Sequence, residues 1–367
     1  MDLAATAAGD GHEVVLACVG AEAADLFRAR QIPASIQVID LPTGPGSVLR
    51  WYRQFRALNV TACLFEKGTL HTGSVAMDLA ARAAFRVYLV IQQLEPPRLG
   101  PRRSTRHLGG IVPGLGLWWY RQRFLGWLRS LAPRQTICIT EAVRSALQDE
   151  YGFSGARLEV VYNGVDVDRF TPGPGALPHH AAEAAPRPVT CGTAARLVHE
   201  KGIDVAVRAF ALLAPDVPMR LLIANDGPER AALEALVREL GLTDRVQFTG
   251  FQRDLAAFYR GLDIFLVPSR IEAQGLIVLE AMACGCLVIA SAVGGIPEMI
   301  SRRELGTLVP PEDAGALAAA IDDARRLSPD QRHAQAAAAR AHVCAEFVAQ
   351  TQCRKILALA GQLAAEA

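Results

Sequence analysis

Residues 264–283 read IFLVPSRIEAQGLIVLEAMA, and this stretch decides the fold class of the chain. Its four leading apolar residues, 264–267, predict a buried strand. The segment 268–275 carries Pro, Ser and Gly and predicts a loop, and the apolar residues 276–284 predict a helix. A buried strand, a short loop and a helix form the repeating unit of a parallel α/β sheet.

Strands and helices alternate along the rest of the chain as well. In the second half the predicted strands are 189–193, 220–224, 246–249, 264–267, 287–290 and 308–309, with helices at 203–213, 229–241 and 255–262. In the first half, apolar runs predict strands at 14–18, 36–39, 62–65 and 87–91. Because this alternation gives a parallel sheet covered by helices, we predict an α/β chain of two doubly wound Rossmann-like domains facing a cleft.

The length of 367 residues suits two domains of comparable size. Residues 171–188 are rich in Pro, Gly and Ala, which predicts the linker between them. We therefore assign residues 1–170 to an N-terminal domain and residues 189–345 to a C-terminal domain. Residues 346–367 predict a helix that packs back on the N-terminal domain.

Composition excludes several classes of protein. With 38 Lys plus Arg against 37 Asp plus Glu, the net charge of +1 argues against a nucleic-acid-binding protein, which normally has a basic excess. Apolar residues make up 51% of the chain, which excludes wholesale disorder, and no apolar run reaches the roughly 18 residues of a membrane span. The eight cysteines form no C-x-x-C pair and are interpreted as buried thiols of a cytoplasmic protein.

Two glutamates frame the helix predicted at 276–284. Glu272 lies in the preceding loop, Gly275 permits close approach of the backbone, and Glu280 lies on the helix. The free N–H groups and the dipole of a helix N-terminus suit a phosphate, and carboxylates accept hydrogen bonds from sugar hydroxyls. A solvated Glu280 is the alternative, which its apolar neighbours disfavour because carboxylates are seldom buried without a partner.

A second group of polar residues follows the strand predicted at 189–193. Arg196 and Lys201 place a planar guanidinium and a compact ammonium in this loop, and the pair suits a diphosphate. Taken alone, two cations five residues apart are more often part of a solvated surface. Both loops follow strands, which is where open α/β sheets bind their ligands.

Together with other motifs, these loops resemble the retaining glycosyltransferases of family 4, which have the two-domain GT-B fold. The further motifs are VYNGVD at 161–166 with Phe170, NDGP at 225–228, FTGF at 248–251, VGGIPE at 293–298 and GTLVPPED at 306–313. The resemblance extends over residues 136 to about 347 in the order of the family. It implies that the domain at 1–170 binds the acceptor and that the domain at 189–345 binds the nucleotide sugar.

The resemblance implies that Arg196 and Lys201 hold the diphosphate of a UDP- or GDP-sugar donor. Glu272 would contact the transferred sugar and act in catalysis together with these two cations. By the same resemblance, Glu280 would bind the ribose hydroxyls. The phosphate and sugar would be held by the backbone at Gly275, Leu276 and Ile277, and the base would lie against Gly250 and Phe251. In the front-face mechanism generally proposed for the family, no side chain is a nucleophile and no cofactor is required.

The spacing of Asp166 and Asp168 also occurs in metal-dependent glycosyltransferases of another fold. Two carboxylates alone do not complete an oxygen cage around a cation. Asp166 belongs to the motif before the linker, where it ends a turn, so we predict no metal site.

The N-terminal half departs from the family pattern at two places. Family members have a strand and a glycine-rich loop before the segment equivalent to 11–14, and only residues 1–10 precede it here, so this strand and loop are expected to be missing. After the strand at 87–91 the family commonly has a histidine that faces the reacting sugar. This chain has Gln92, which cannot take up a proton near neutral pH. His71 is a second candidate on the acceptor side, with an ordinary loop histidine as the alternative.

Residues 98–134 combine eight arginines with Trp118, Trp119 and Trp127 and contain no carboxylate. Two interpretations stay open. The stretch binds an anionic membrane surface or a lipid-linked acceptor, or it packs its tryptophans under the N-terminal domain and leaves its arginines in solvent.

These observations predict a retaining glycosyltransferase that moves a hexose-type sugar to a glycan or lipid-linked acceptor of cell-envelope polysaccharide or lipopolysaccharide. We expect it in the cytoplasm, peripheral at the inner face of the cell membrane. The alternatives are a nucleotide-sugar 2-epimerase on the same fold and a non-catalytic nucleotide-sugar-binding protein. The spacing of Glu272 and Glu280 favours transfer over epimerisation.

Overall fold

The computed structural model describes residues 2–11, 14–19, 36–41, 53, 62–67, 82, 87–92, 131, 133–173 and 188–366. His71, most of the stretch 98–134 and residues 174–187 of the predicted linker lie outside these described residues. Of Gln92 the structure describes the backbone, which ends a strand.

The chain forms two compact units. Unit 1 consists of Met1–Tyr162 and Ala349–Ala367, and unit 2 consists of Asn163–Val348. The segment 163–170, assigned from the sequence to the N-terminal domain, is grouped with unit 2. One reason is a parallel β-bridge between Val165 and Val348, which ties the two ends of unit 2 together.

Unit 1 has parallel strands throughout its described part. β1 (Val14–Val19) pairs with β2 (Ile36–Leu41). A four-stranded sheet has the order β3-β4-β5-β6, with β3 at Ala62–Lys67, β4 at Val87–Gln92, β5 at Gln135–Cys138 and β6 at Leu158–Val160.

Two described helices of unit 1 lie next to these strands along the chain. α1 (Asp2–Gly9) precedes β1, and α2 (Glu141–Asp149) follows β5. α2 begins after Thr140, whose hydroxyl accepts a hydrogen bond from the N–H of Val143 at 3.1 Å. Such a cap satisfies one of the free N–H groups of the first turn. Of the described residues that precede β1, residues 2–9 are helical and residues 10–11 form a turn.

Unit 2 is built on a six-stranded parallel sheet in the order β12-β11-β10-β7-β8-β9. The strands are β7 (Val189–Ala194), β8 (Met219–Ala224), β9 (Val246–Gly250), β10 (Ile264–Val267), β11 (Leu287–Ser291) and β12 (Thr307–Val309). The chain starts at β7, adds β8 and β9 on one side, and then crosses to the other side with β10. The prediction of a doubly wound Rossmann-like sheet is confirmed, and its order reverses between β7 and β10.

Helices connect these strands or follow the last of them. They are α3 (Ile203–Leu212), α4 (Arg230–Glu239), α5 (Leu255–Arg260), α6 (Leu276–Ala283), α7 (Ile296–Met299), α8 (Ala314–Arg326) and α9 (Pro329–Glu346). One face of the sheet packs against α3, α4 and α8 in a core that contains the fully buried Phe210, Leu221 and Ile321. None of the helices in the described part of the chain is long and apolar enough to cross a membrane.

The last helix, α10 (Ala349–Ala365), belongs to unit 1. Ala360 of this helix packs against Leu89 of β4 in a buried cluster. Arg354 forms an ion pair with Asp10, just after α1, at 3.2 Å. The C-terminal residues therefore contact both β4 and the end of α1.

The described cysteines fall into two groups. Cys138, Cys191, Cys284 and Cys286 are buried thiols, as predicted, and burial raises the pKa of Cys138 to about 12. The interpretation as buried thiols is wrong for Cys344 of α9, which is exposed, and Cys353 of α10 is only half-buried.

Candidate functional site

Two loops start side by side at the carboxyl edge of the unit 2 sheet. β7 and β10 are neighbours, with Cys191 opposite Ile264 and Gly192 opposite Phe265. Since both strands run in the same direction, the connections that leave them begin together at the point where the strand order reverses. We call residues 195–202 the β7 loop and residues 268–275 the β10 loop.

Lys201 of the β7 loop contacts Glu272 of the β10 loop. Lys201 Nζ lies 2.8 Å from Glu272 Oε2, and the side chains are 25% and 14% exposed. The two predicted residues are thus brought together in partly buried surroundings, where opposite charges attract more strongly than in water. An ammonium has three N–H donors, so Lys201 can hold Glu272 and still donate to a ligand oxygen.

The backbones of the loops approach closely at two glycines. Gly202 has a φ of 63°, and a Cβ there would lie 2.1 Å from the carbonyl oxygen of Pro268. Gly294, in the loop after β11, has a φ of 53°, and its Cβ would lie 1.6 Å from the carbonyl oxygen of Glu272. Only glycine combines a left-handed backbone with this proximity. The position of Glu272 therefore depends on the absence of a side chain at Gly294.

Arg270 clamps the β10 loop to the start of α3. Its guanidinium donates to both carboxylate oxygens of Asp204 at 2.8 Å and to the carbonyl of His199 at 2.8 Å. A third partner, Glu312, accepts from Nε at 3.0 Å. Burial by itself would raise the pKa of Asp204, but the hydrogen bonds and charge of Arg270 outweigh it and lower that pKa. Arg270 thus fixes the β7 loop on the β10 loop.

The helix α6 begins at the end of the β10 loop. Gly275 precedes it with a φ of 86°, and no side chain caps its first turn. The first N–H groups of a helix have no acceptor within the helix and attract negative charge. Leu276 is exposed and Ile277 half-buried at this end, so the N-terminus of α6 stays open to a ligand.

Glu280 lies on α6, half-buried rather than solvated. Tyr259 of α5 donates its hydroxyl to Glu280 Oε2 at 2.8 Å. Burial raises the pKa of Glu280, although the hydrogen bond from Tyr259 and the charge of Arg169 act in the opposite direction. The interpretation of this glutamate as a simple surface residue is therefore excluded by its environment.

Arg196 projects from a β7 loop that is fixed by backbone bonds to the NDGP turn. Leu197 donates to the carbonyl of Asp226 at 3.0 Å and accepts from the N–H of Glu229 at 3.0 Å. The side chain of Arg196 is exposed, and within the part of the chain that the structure describes it forms no ion pair. Its guanidinium is thus available to an anion.

The residues predicted to lie against a base follow β9. Gly250 has a φ of 70°, and the side chain of Phe251 is 75% exposed. Gln252 turns back and donates to the carbonyl of Thr249 at 3.1 Å. An exposed ring presents an apolar face on which a planar base can stack.

Gln274 binds the segment that leads into unit 2. Its Oε1 accepts from the N–H of Asn163 at 2.9 Å and its Nε2 donates to the carbonyl of the same residue at 2.7 Å. The side chain is 2% exposed, so both polar groups of this buried amide are satisfied. The VYNGVD motif is thereby attached to the β10 loop.

Two family models together match most of the chain. The model of glycosyltransferase family 4 matches residues 1–169, and that of glycosyl transferases group 1 matches residues 180–342. The chain belongs to the glycosyltransferases. The resemblance predicted from the motifs is confirmed.

A curated relative of this glycosyltransferase is the D-inositol 3-phosphate glycosyltransferase of Mycobacterium sp. (strain KMS). The two are 39% identical over 191 residues, which make up 50% of this chain and 43% of the relative. The matched part therefore spans less than half the length of the relative.

Solved structures confirm the predicted GT-B fold of this glycosyltransferase. A glycosyltransferase from Rickettsia africae ESF-5 is similar with a TM-score of 0.78 at 20% identity, covering 99% of this chain and 93% of that one. Anabaena Alr3699/HepE in complex with UDP also has a TM-score of 0.78 at 20% identity, covering 98% and 94% of the two chains.

The described residues of this glycosyltransferase contain no group of three or more His, Cys, Asp or Glu side chains that could hold a metal ion. Asp166 instead accepts hydrogen bonds from the N–H groups of Asp168 and Arg169 at 3.1 and 3.0 Å. One oxygen of this carboxylate thus closes a turn before Phe170.

From the sequence, no role was assigned to four residues, although two of them lie in the stretch 264–283. They are Tyr259, Gln274, Arg270 and Asp204. Each acts through a partner far away in the chain: 21 residues separate Tyr259 from Glu280, and 111 residues separate Gln274 from Asn163. A pattern of apolar residues carries no signal for such pairs. His71 and the side chain of Gln92 lie outside the described residues, so their acceptor-side roles stay predictions.

The Arg270 clamp makes stability depend on pH. Replacing Asp204 by Asn removes a charge-assisted pair, and we expect the free energy of unfolding at pH 7 to fall by about 1–2 kcal/mol, measured by urea denaturation. Because the folded-state pKa of Asp204 lies below its ordinary value of 3.8, its contribution is present above that value and lost as the pH falls through the folded-state pKa. The wild type and Asp204→Asn should converge in acid.

The exposed Asp216 provides a matched control. Asp216→Asn should change the free energy of unfolding by less than about 0.5 kcal/mol at either pH. An Asp204→Asn variant as stable as wild type at pH 7 would contradict the clamp.

The contribution of the buried Gln274 amide to stability can also be measured by urea denaturation. Gln274→Met preserves length but leaves the N–H and carbonyl of Asn163 without their partner, so we expect a loss of about 1–3 kcal/mol in the free energy of unfolding. Gln350→Met, at an exposed position of α10, is the control and should stay within about 0.5 kcal/mol of wild type. Equal stabilities of the two variants would argue against the attachment of the VYNGVD motif through Gln274.

Proposed function

We propose that the protein is a retaining glycosyltransferase that moves a hexose-type sugar from a UDP- or GDP-sugar to a glycan or lipid-linked acceptor. The observation that carries this proposal is the contact of Lys201 with Glu272 beside the open N-terminus of α6. It lies where a doubly wound sheet binds its ligand. Family membership and the mycobacterial relative, which is named as a glycosyltransferase, support the same activity.

The donor diphosphate is the part of the substrate with the strongest support. Arg196 is exposed and without an ion pair among the described residues, and Lys201 has N–H groups beyond the one used on Glu272. The first N–H groups of α6 add partial positive charge nearby. A planar fork, an ammonium and a helix N-terminus together complement two linked phosphates.

Carboxylates would bind the two sugars of the donor. In this proposal Glu280 accepts hydrogen bonds from the ribose hydroxyls, and Glu272 accepts from the transferred sugar. The exposed ring of Phe251 would stack on the base. HepE structures contain UDP, so uracil nucleotides are the first donors to test.

Catalysis then consists of positioning and of charge stabilisation. The bond between the anomeric carbon and the donor phosphate oxygen breaks, and the acceptor oxygen bonds to the same carbon on the same face. The acceptor proton passes to the departing diphosphate. Arg196 and Lys201 stabilise the charge on that leaving group, and removing one such donor typically lowers kcat about 100- to 1,000-fold.

The acceptor and the location belong to the proposal as well. We assign the acceptor to cell-envelope polysaccharide or lipopolysaccharide synthesis and the enzyme to the inner face of the cell membrane. The arginines and tryptophans of residues 98–134 support this assignment through their composition alone.

Nucleotide release from a panel of UDP- and GDP-sugars, with and without candidate acceptors, tests the activity. We expect transfer with retention, read from the anomeric signals of the product, and a fall in turnover of about 100-fold or more for Arg196→Ala. Glu280→Ala should weaken donor binding. Arg208→Ala and Glu239→Ala, at exposed positions of α3 and α4, should behave as wild type.

Absence of donor binding, or a Glu280→Ala variant with intact binding and turnover, would show that the proposed site is wrong. Nucleotide release with an altered free sugar and no transfer would indicate the epimerase alternative. Donor binding without any turnover would indicate a non-catalytic binding protein.

Flotation with liposomes tests the membrane partner. We expect the protein to float with vesicles that contain anionic lipid and to float less at 0.5 M salt, because screening weakens the attraction of arginines to the surface. Neutral vesicles are the control. If the protein stays at the bottom of the gradient with anionic vesicles at low salt, this membrane role is excluded.

A further inference from the structure

The hydroxyl of Tyr259 is a buried polar group with a single described partner, the carboxylate of Glu280 at 2.8 Å. The tyrosine is fully buried, with no exposed side-chain surface. A hydroxyl placed in such an interior costs free energy unless it is hydrogen-bonded. This bond therefore determines where the Glu280 carboxylate lies.

Aromatic contacts hold the Tyr259 ring on several sides. Phe265 of β10 meets it edge-on at a centroid distance of 5.0 Å, and Phe258 meets it edge-on at 6.3 Å. Phe170, from the segment before the linker, packs against it at 6.0 Å. A ring packed in this way has little freedom to rotate or shift, so its hydroxyl is a fixed donor.

The two oxygens of Glu280 have different surroundings. Oε2 accepts from Tyr259, whereas Oε1 accepts no hydrogen bond from the described residues and is not fully buried. A carboxylate oxygen can accept two hydrogen bonds. Fixing Oε2 on the protein side leaves Oε1 as the oxygen that can meet a ligand.

Resting on the proposed function, we infer that Tyr259 is a positioning residue that orients Glu280 toward the ribose hydroxyls and so sets the preference for ribonucleotide donors. It contacts no substrate atom itself. It acts through one hydrogen bond, and its effect should appear only where a ribose hydroxyl is present.

The same bond influences the charge of Glu280. Burial raises its pKa, and the Tyr259 hydroxyl counteracts this because it donates to the charged form. The other groups that act on this pair are Arg169, which also lowers the pKa of Glu280, and the thiols of Cys284 and Cys286 beside Tyr259. Loss of the hydroxyl should therefore favour the neutral carboxyl, which is the poorer acceptor.

Tyr259→Phe removes the hydroxyl and preserves the ring. We would titrate the full chain calorimetrically with UDP and with 2′,3′-dideoxy-UDP, and with the guanine pair if uracil nucleotides do not bind. The wild type should prefer the ribonucleotide by about 10-fold or more. Tyr259→Phe should lower this preference by about 3- to 10-fold, with the affinity for the dideoxy nucleotide unchanged.

The pH dependence gives a second readout. The preference for UDP over dideoxy-UDP should decline as Glu280 is protonated, and in Tyr259→Phe this decline should begin at a higher pH. Using the ratio of the two affinities removes the titration of the nucleotide phosphates, which both ligands share. A merely structural role of Tyr259 would move neither the ratio nor its pH profile.

Two further variants complete the experiment. Glu280→Gln should lose most of the ribose preference, and adding Tyr259→Phe to it should cause no further loss. Tyr151→Phe makes the same change at a buried tyrosine of unit 1 and should bind both nucleotides as wild type does. Thermal unfolding of each variant reports whether it folds.

The outcomes separate the two proposals. If wild-type protein binds no nucleotide, the proposed function fails and the role of Tyr259 fails with it. If the wild type prefers ribonucleotides and Glu280→Gln abolishes that preference, an unchanged ratio in Tyr259→Phe overturns the role of Tyr259 alone. If Tyr259→Phe lowers the affinity for both nucleotides equally, the positioning role of Tyr259 is overturned as well.

Discussion

The parallel pairing of β7 with β10 is the constraint on which the candidate site depends. In this sheet the strand order reverses between these two neighbours. The connection from β7 therefore leads to β8 toward one edge of the sheet, and the connection from β10 leads to β11 toward the other edge. Their first residues nevertheless begin at adjacent points of the carboxyl edge. Arg196 and Lys201 from one loop and Glu272 from the other are therefore held at a common place, although about 70 residues separate the two loops in the chain. The open N-terminus of α6 follows directly from the second loop.

Polar contacts then give the two loops a definite geometry. Left-handed glycines allow backbone approaches that no side chain would permit, as at Gly202 and Gly294. Arg270 joins the start of α3 to the β10 loop, and Gln274 joins the same loop to Asn163. These groups are largely buried, so each of them would be costly without its partner. The residues proposed to bind the donor thus lie on loops that several contacts hold in a defined position, which is what a site that works by positioning requires.

The candidate site also has an uneven distribution of charge. Lys201 is partly neutralised by Glu272, whereas Arg196 is exposed and unpaired among the described residues. Burial raises the pKa of Glu280, and the hydrogen bond from Tyr259 and the charge of Arg169 counteract this rise. A diphosphate would meet cations and helix N–H groups, and the ribose would meet an acceptor oxygen. In the proposed complex, the charged and the neutral parts of a nucleotide sugar would therefore face different residues.

The sequence by itself determined the parallel α/β class, the glycosyltransferase family and the candidate donor residues. Apolar runs bounded by glycine and proline are local signals for strands and loops, and the motifs around Glu272 and Lys201 are contiguous in the chain. Tertiary structure decided which of these residues touch: the ion pair of Lys201 with Glu272, the hydrogen bond of Tyr259 to Glu280 and the attachment of Gln274 to Asn163. The physical reason is that these partners lie 21 to 111 residues apart, and strand order and packing alone bring them within hydrogen-bonding distance.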